Sequence, residues 1–89
     1  MDELISAVER LINVARRDTG QSSRVASFLL AWANSARFGG FDPSTVNMLD
    51  WNIRRDMAGV LDYLLKNPFV YPLDLGFEDE LKEIADLHR

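Results

Sequence analysis

Eighty-nine residues with 47% apolar and 10% aromatic side chains suffice for one small hydrophobic core and leave no room for a second domain. With no cysteine there is no disulfide, no thiolate nucleophile and no thiolate metal site, which fits a reducing, cytoplasmic setting. The formal charge of -4 comes entirely from one end: residues 1–73 balance eight acids with eight bases, whereas residues 74–89 set six acids against Lys82 and Arg89.

The chain opens with MDELISAVERLINVARR, which interleaves charged and apolar residues and so lacks the basic start and apolar centre of a secretory leader. Leu4, Ile5, Val8, Leu11, Ile12 and Ala15 recur at helical period within an arc of about 100°, predicting an amphipathic first helix. Arg16 and Arg17 suit its last turn, and Asp18-Thr19-Gly20 stops it. Ser22 or Ser23 is the expected N-cap of a second helix reaching Phe38. Its stripe of Val25, Phe28, Leu29, Trp32 and Ala36 is widened by Ala26, Leu30 and Ala33, so this helix is expected to be central. Its most apolar run, Val25–Ala33, is about half the length needed to span a bilayer.

The stretch Phe38-Gly39-Gly40-Phe41-Asp42-Pro43-Ser44 resembles a binding loop at first sight. Phosphate-cradling loops follow a strand and keep a lysine in reach, and neither condition holds here. The glycines instead suit the left-handed end of a helix, and Asp42-Pro43 suits an N-cap followed by proline at the first position of a short helical turn near Val46–Leu49. Ile53, Met57, Val60, Leu61 and Leu64 mark a third main helix, ended by Asn67-Pro68. The segment PFVYPLDLG, residues 68–76, predicts an irregular, extended crossover pressed on apolar surface. It is buried either within one chain or between two copies in a homodimer, and composition does not choose. A last helix from about Phe77 to Leu87 turns Phe77, Leu81, Ile84 and Ala85 inward. The expected fold is therefore all-α: a single-domain compact bundle of four main helices, one short helical turn and one Pro-containing crossover.

Enzymatic chemistry finds little support. The one histidine, His88, lies at the end of the last helix, where an exposed or end-capping role is expected, and the serines at 22 and 23 have the ordinary work of capping. Glu80, Glu83 and Asp86 are a turn apart on a polar helix face but form no known metal-ligand pattern. No catalytic residue, metal site or cofactor is expected.

Partner binding has two candidate surfaces. Trp51, with Arg54 and Arg55, falls opposite the core stripe of the third main helix, a composition common in interface hot spots. The alternative for Trp51 is an inward fold or a stack on Arg55. Glu78, Asp79, Glu80, Glu83 and Asp86 give the last helix an acidic outer face that suits a basic partner. A rival class is a small nucleic-acid-associated regulator using Arg16, Arg17, Arg24, Arg37, Arg54 and Arg55, disfavoured by the overall acidity.

The segments DTGQSSRVASFLLAWANSARFGGFD (Asp18 to Asp42), Asp56-Met57 and YPLDLGFEDEL (Tyr71 to Leu81) resemble a family of short uncharacterised proteins from proteobacteria and their mobile elements. Two departures are Ala33, where the family often has a second tryptophan, and Asn47, where it has an aromatic. The resemblance implies no activity and transfers no catalytic residue. It implies a bacterial or phage-linked setting, in which small acidic proteins often act as inhibitors or adaptors of larger complexes, CRISPR-type defence included.

Overall fold

The computed structural model describes residues 2–88 and contains no strand among them. Four helices, α1 (Asp2–Ala15), α2 (Gly20–Phe38), α3 (Trp51–Lys66) and α4 (Glu78–Leu87), are joined with two 3-10 turns, Pro43–Met48 and Pro72–Leu75. This is the expected all-α bundle. No helix among the described residues is long and apolar enough to cross a membrane.

The centre of the bundle is α1, where the apolar content of α2 had suggested α2. α1 packs on α2, α3 and α4, whereas α3 leans on α1 alone among the extensive helix pairs. Leu4, Ala7, Val8, Leu11, Ile12 and Ala15 are all buried, so α1 offers a wide apolar face on which small alanines let neighbours approach. Val25 and Leu29 of α2, Val60 of α3 and Ile84 of α4 are also fully buried, each contributing about 1.5 to 3 kcal/mol. Arg16 and Arg17 follow the last turn of α1 instead of lying in it.

α2 begins three or four residues before its expected start. Thr19, not Ser22 or Ser23, is the N-cap: its backbone is extended, and its Oγ1 accepts from the Ser22 amide at 3.1 Å. Ser22 is fully buried, and its hydroxyl lies 2.8 Å from Thr19 Oγ1. Drawing Ser22 inside the helix satisfies a hydroxyl that would otherwise be buried without a partner. The far end of α2 is broken at Asn34, whose φ of -167° and ψ of 88° are not helical. Its Oδ1 accepts from the Arg37 amide at 3.1 Å, so Asn34 recaps a final turn that leaves Ala36 exposed rather than in the core.

The glycine pair is a connector. Gly39 ends α2 at φ 89° and ψ 176°, a positive-φ conformation outside the expected left-handed region, and its amide donates to Ser35 O at 2.9 Å. Phe41 sets its ring edge-to-face on Phe28, 5.4 Å between centroids, and Asp42 caps the first 3-10 turn through the Ser44 amide at 3.0 Å.

The crossover is only partly the extended, buried strip expected. Pro72 is fully buried and Leu75 half-buried, but residues 72–75 form a 3-10 turn, and Phe69 (85%) and Leu73 (60%) face solvent. Phe69 sits at φ 64°, a conformation that a bulky residue adopts only under local constraint. One such constraint is adjacent: Trp32 Nε1 donates to the Val70 carbonyl at 2.8 Å and pins the crossover to α2.

Candidate functional site

α3 is held by its inner side. Ile53, Met57 and Val60 are buried against the core, and the carboxylate of Asp56 is buried beside them. Arg10 of α1 closes on Asp56 with a two-pronged bond, Nε to Oδ2 and Nη2 to Oδ1, each 2.9 Å. That geometry fixes the roll of α3 about its own axis. The same bonds, with the charge of Asp56, push the Arg10 guanidinium still further up from its already high pKa. At its start α3 is tied to α2 by a reciprocal pair: the Asp50 amide donates to Gln21 Oε1 at 2.7 Å, and Gln21 Nε2 donates to Asp50 Oδ2 at 3.2 Å.

With the roll fixed, the outer side is determined. Residues 51, 54, 58, 61 and 65 fall within an arc of about 80° at 100° per residue, the spacing of a coiled-coil seam. Trp51 is 68% exposed, Leu61 51% and Leu65 86%, with Ala58 exposed between them. The Arg54 guanidinium lies over the Trp51 ring, 5.4 Å from its centroid. The stacking partner is thus Arg54 rather than Arg55, and Trp51 does not fold inward. Arg54 Nε is buried and has no hydrogen-bond partner, alone in that respect among the described side chains. Arg55 and Asp62 flank the seam on one edge, where Asp62 pairs with Lys66 at 3.1 Å.

Leu61 belongs to this outer face and not to the core stripe to which its apolarity assigned it, because the stripe centres on Val60. Trp51, Arg54 and Arg55 are legible on this face from residue type alone, whereas Leu61 and Leu65 are not. The interlocked spacings 51/58/65 and 54/61 were the signal that would have found them.

The acidic outer face of α4 is partly neutralised. Glu83 accepts from Arg16 at 3.1 Å, Glu78 pairs with Lys82 at 3.5 Å, and Glu80 is half-buried. Asp79 is exposed, as is Asp86, which also interacts within the chain. Among the described residues no cluster of three or more histidine or carboxylate side chains is placed to hold a metal ion. His88 caps a helix, but the helix is α1: its Nε2 donates to the Ala15 carbonyl across 2.6 Å.

Four of the six arginines of the nucleic-acid alternative have neighbours within the chain. Arg16 is engaged by Glu83, Arg37 lies 5.2 Å over Phe38, Arg54 lies over Trp51, and Arg24 is half-buried near Asp42. Two hydrogen bonds from Ser44, with a smaller contribution from Arg24, hold the Asp42 carboxyl below the usual carboxylate range. An open groove of about 770 Å³ runs between the end of α2 and α4, floored by Leu30, Ala33 and Leu81. Phe38 and Leu73 stand on its rim, and through Phe38 the glycine-pair segment meets this concavity.

No curated protein and no solved structure matches the chain. Residues 5–89 match a family of unknown function (DUF7673), and with nearly the whole chain inside that match the protein belongs to this family.

Proposed function

We propose that the protein is a non-enzymatic protein–protein interaction module that docks a partner through the outer face of α3. The observation behind this reading is the row Trp51, Leu61 and Leu65, each more than half exposed on a helix whose opposite face is anchored. Such a row contributes nothing to the single chain's core, and a contiguous apolar strip with a tryptophan stacked on arginine suits a protein surface. The acidic face of α4, around Asp79 and Glu80, is a second, weaker surface suited to a basic partner. In its specific form the proposal is a bacterial, cytoplasmic inhibitor or adaptor of phage or mobile-element origin, anti-defence or anti-CRISPR-like, acting on a larger host complex. The acidic helix and the family resemblance support that form.

The test is capture from a bacterial lysate by the immobilised chain, comparing the unmodified protein with Trp51→Ala, Leu65→Glu and the pair Glu80→Lys and Glu83→Lys. Loss of captured protein with the α3 variants is expected. Identical capture by all of them sinks the proposal. The competing nucleic-acid reading is addressed by a salt titration: phosphate contacts strengthen as salt falls, so absence of DNA binding at low salt removes it.

A further inference from the structure

We propose that the outer face of α3 pairs with the same face of a second copy of this chain, antiparallel, about a two-fold axis near Ala58. The inference rests on reading that face as protein-binding and names its occupant. A two-fold interface must be self-complementary, with residue i of one copy meeting residue j of the other and j meeting i. The seam of α3 has that property in both shape and charge.

Trp51 and Leu65 lie seven residues to either side of Ala58, about 10 Å along the helix in each direction. Reversing a second copy about Ala58 therefore lays each Trp51 ring against Leu65 of the other copy, and Leu61 beside the stem of Arg54. Ala58 itself is exposed, and its small side chain lets the two axes approach at the crossing point. The charges obey the same symmetry. Arg55 lies three residues before Ala58 and Asp62 four after, on the same edge of the seam. In an antiparallel pair equivalent edges face each other, so each Arg55 meets Asp62 of the second copy, and the ion pair occurs twice. A parallel pair leaves the two groups seven residues apart along one edge, with neither matched to the other.

The contacts that Asp62 and Arg54 make within the chain do not compete strongly. The bond from Lys66 to Asp62 joins two side chains that are 71% and 64% exposed, a class of pair that contributes little and is easily shared. Arg54 covers one face of the Trp51 ring and still leaves that residue 68% exposed, so the stack does not occupy the seam. α3 has 16 residues, so one helix pair falls at the small end of specific interfaces, and association is to be sought from about 10 μM to about 1 mM.

Sedimentation equilibrium over that range reads the outcome. The unmodified chain is expected to move from its own 10.1 kDa toward twice that mass, and Leu65→Glu to remain at 10.1 kDa. Leu61→Ala serves as a milder variant, and far-UV circular dichroism shows that each is folded. Arg55→Glu places two acids on the edge, and Asp62→Arg places two bases there. Each alone is expected to weaken dimerisation about tenfold or more, while an equimolar mixture of the two restores it as a heterodimer. A chain that stays at 10.1 kDa up to about 1 mM overturns the inference, as does a mixture that associates no better than its components. If the chain is monomeric yet Leu65→Glu abolishes capture of a different protein, self-pairing is wrong and the interaction surface stands. If the α3 variants alter neither, both are wrong.

Discussion

Leu29 and Leu65 carry the same side chain, the first with none of its surface accessible and the second with 86%. Truncating each to alanine separates the core from the outer face of α3. At Leu29 the neighbours are the packed interior of α1 and α2, and Leu29→Ala is expected to cost about 3 to 5 kcal/mol through lost burial and the cavity left behind. A domain of this size has about 4 to 13 kcal/mol of stability in all, and loses about 4 to 8 °C of Tm per kcal/mol. Leu29→Ala should therefore lower Tm by at least about 12 °C. Leu65→Ala removes no intrachain contact of consequence and is expected within about 0.5 kcal/mol of the parent. Urea unfolding followed by circular dichroism at a few micromolar, where a weak pair is dissociated, measures both. A loss above about 1 kcal/mol at Leu65, unchanged on dilution, would show that this residue belongs to the single chain's core and that the outer face is not free. A loss that appears only as concentration rises is the signature of linked self-association.

Thr19→Ala is expected to cost about 1 kcal/mol by removing the cap of α2, while Ser23→Ala, on the exposed side, stays within about 0.5 kcal/mol; equal effects in urea unfolding would refute the assignment of the cap. Trp32→Phe should cost about 1 kcal/mol and speed amide exchange in residues 69–71, because the Val70 carbonyl loses its donor. Unchanged exchange there would show that the crossover is held by other means. Asp42, held below the ordinary carboxylate range in the fold, contributes stability that is present in full above its unfolded pKa and is lost as pH falls through the folded value, below about pH 4. Asp42→Asn should therefore flatten the acid limb of the stability profile, and an identical limb in the variant refutes the role of Ser44 in holding that charge.

The helices of this bundle were legible because periodicity reports burial directly: five of the six positions expected on the inner face of α1 are buried, and the sixth, Ile5, is half-buried. What the pattern could not convey was which helix would be surrounded. Apolar content pointed to α2, but the hub went to α1, which packs on α2, α3 and α4, while the second half of α2 leaves Ala31, Trp32 and Ala33 only half-buried and Ala36 exposed. Side-chain oxygens account for most of the other differences. Thr19 and Asn34 each bond to an amide three residues ahead, and whether such a residue caps a start or breaks a middle depends on which neighbours are buried. The outer face was half visible: Trp51 and the arginines stood out by type, whereas Leu61 and Leu65 were hidden because a leucine reads as core until the helix's roll is known. That roll comes from Arg10 meeting Asp56 across 46 positions of chain, a pairing no local pattern encodes.

The two indoles sit in opposite circumstances, and this gives the molecule its own optical instrumentation. Trp32 is half-buried and hydrogen-bonded to the crossover, so its emission follows whether the chain is folded. Trp51 lies open on α3 beneath a guanidinium, so its emission follows whether that face is covered. Replacing either with phenylalanine leaves a single-tryptophan protein that reports one event without the other. Folding and docking can thus be observed separately, in solution, without an attached dye.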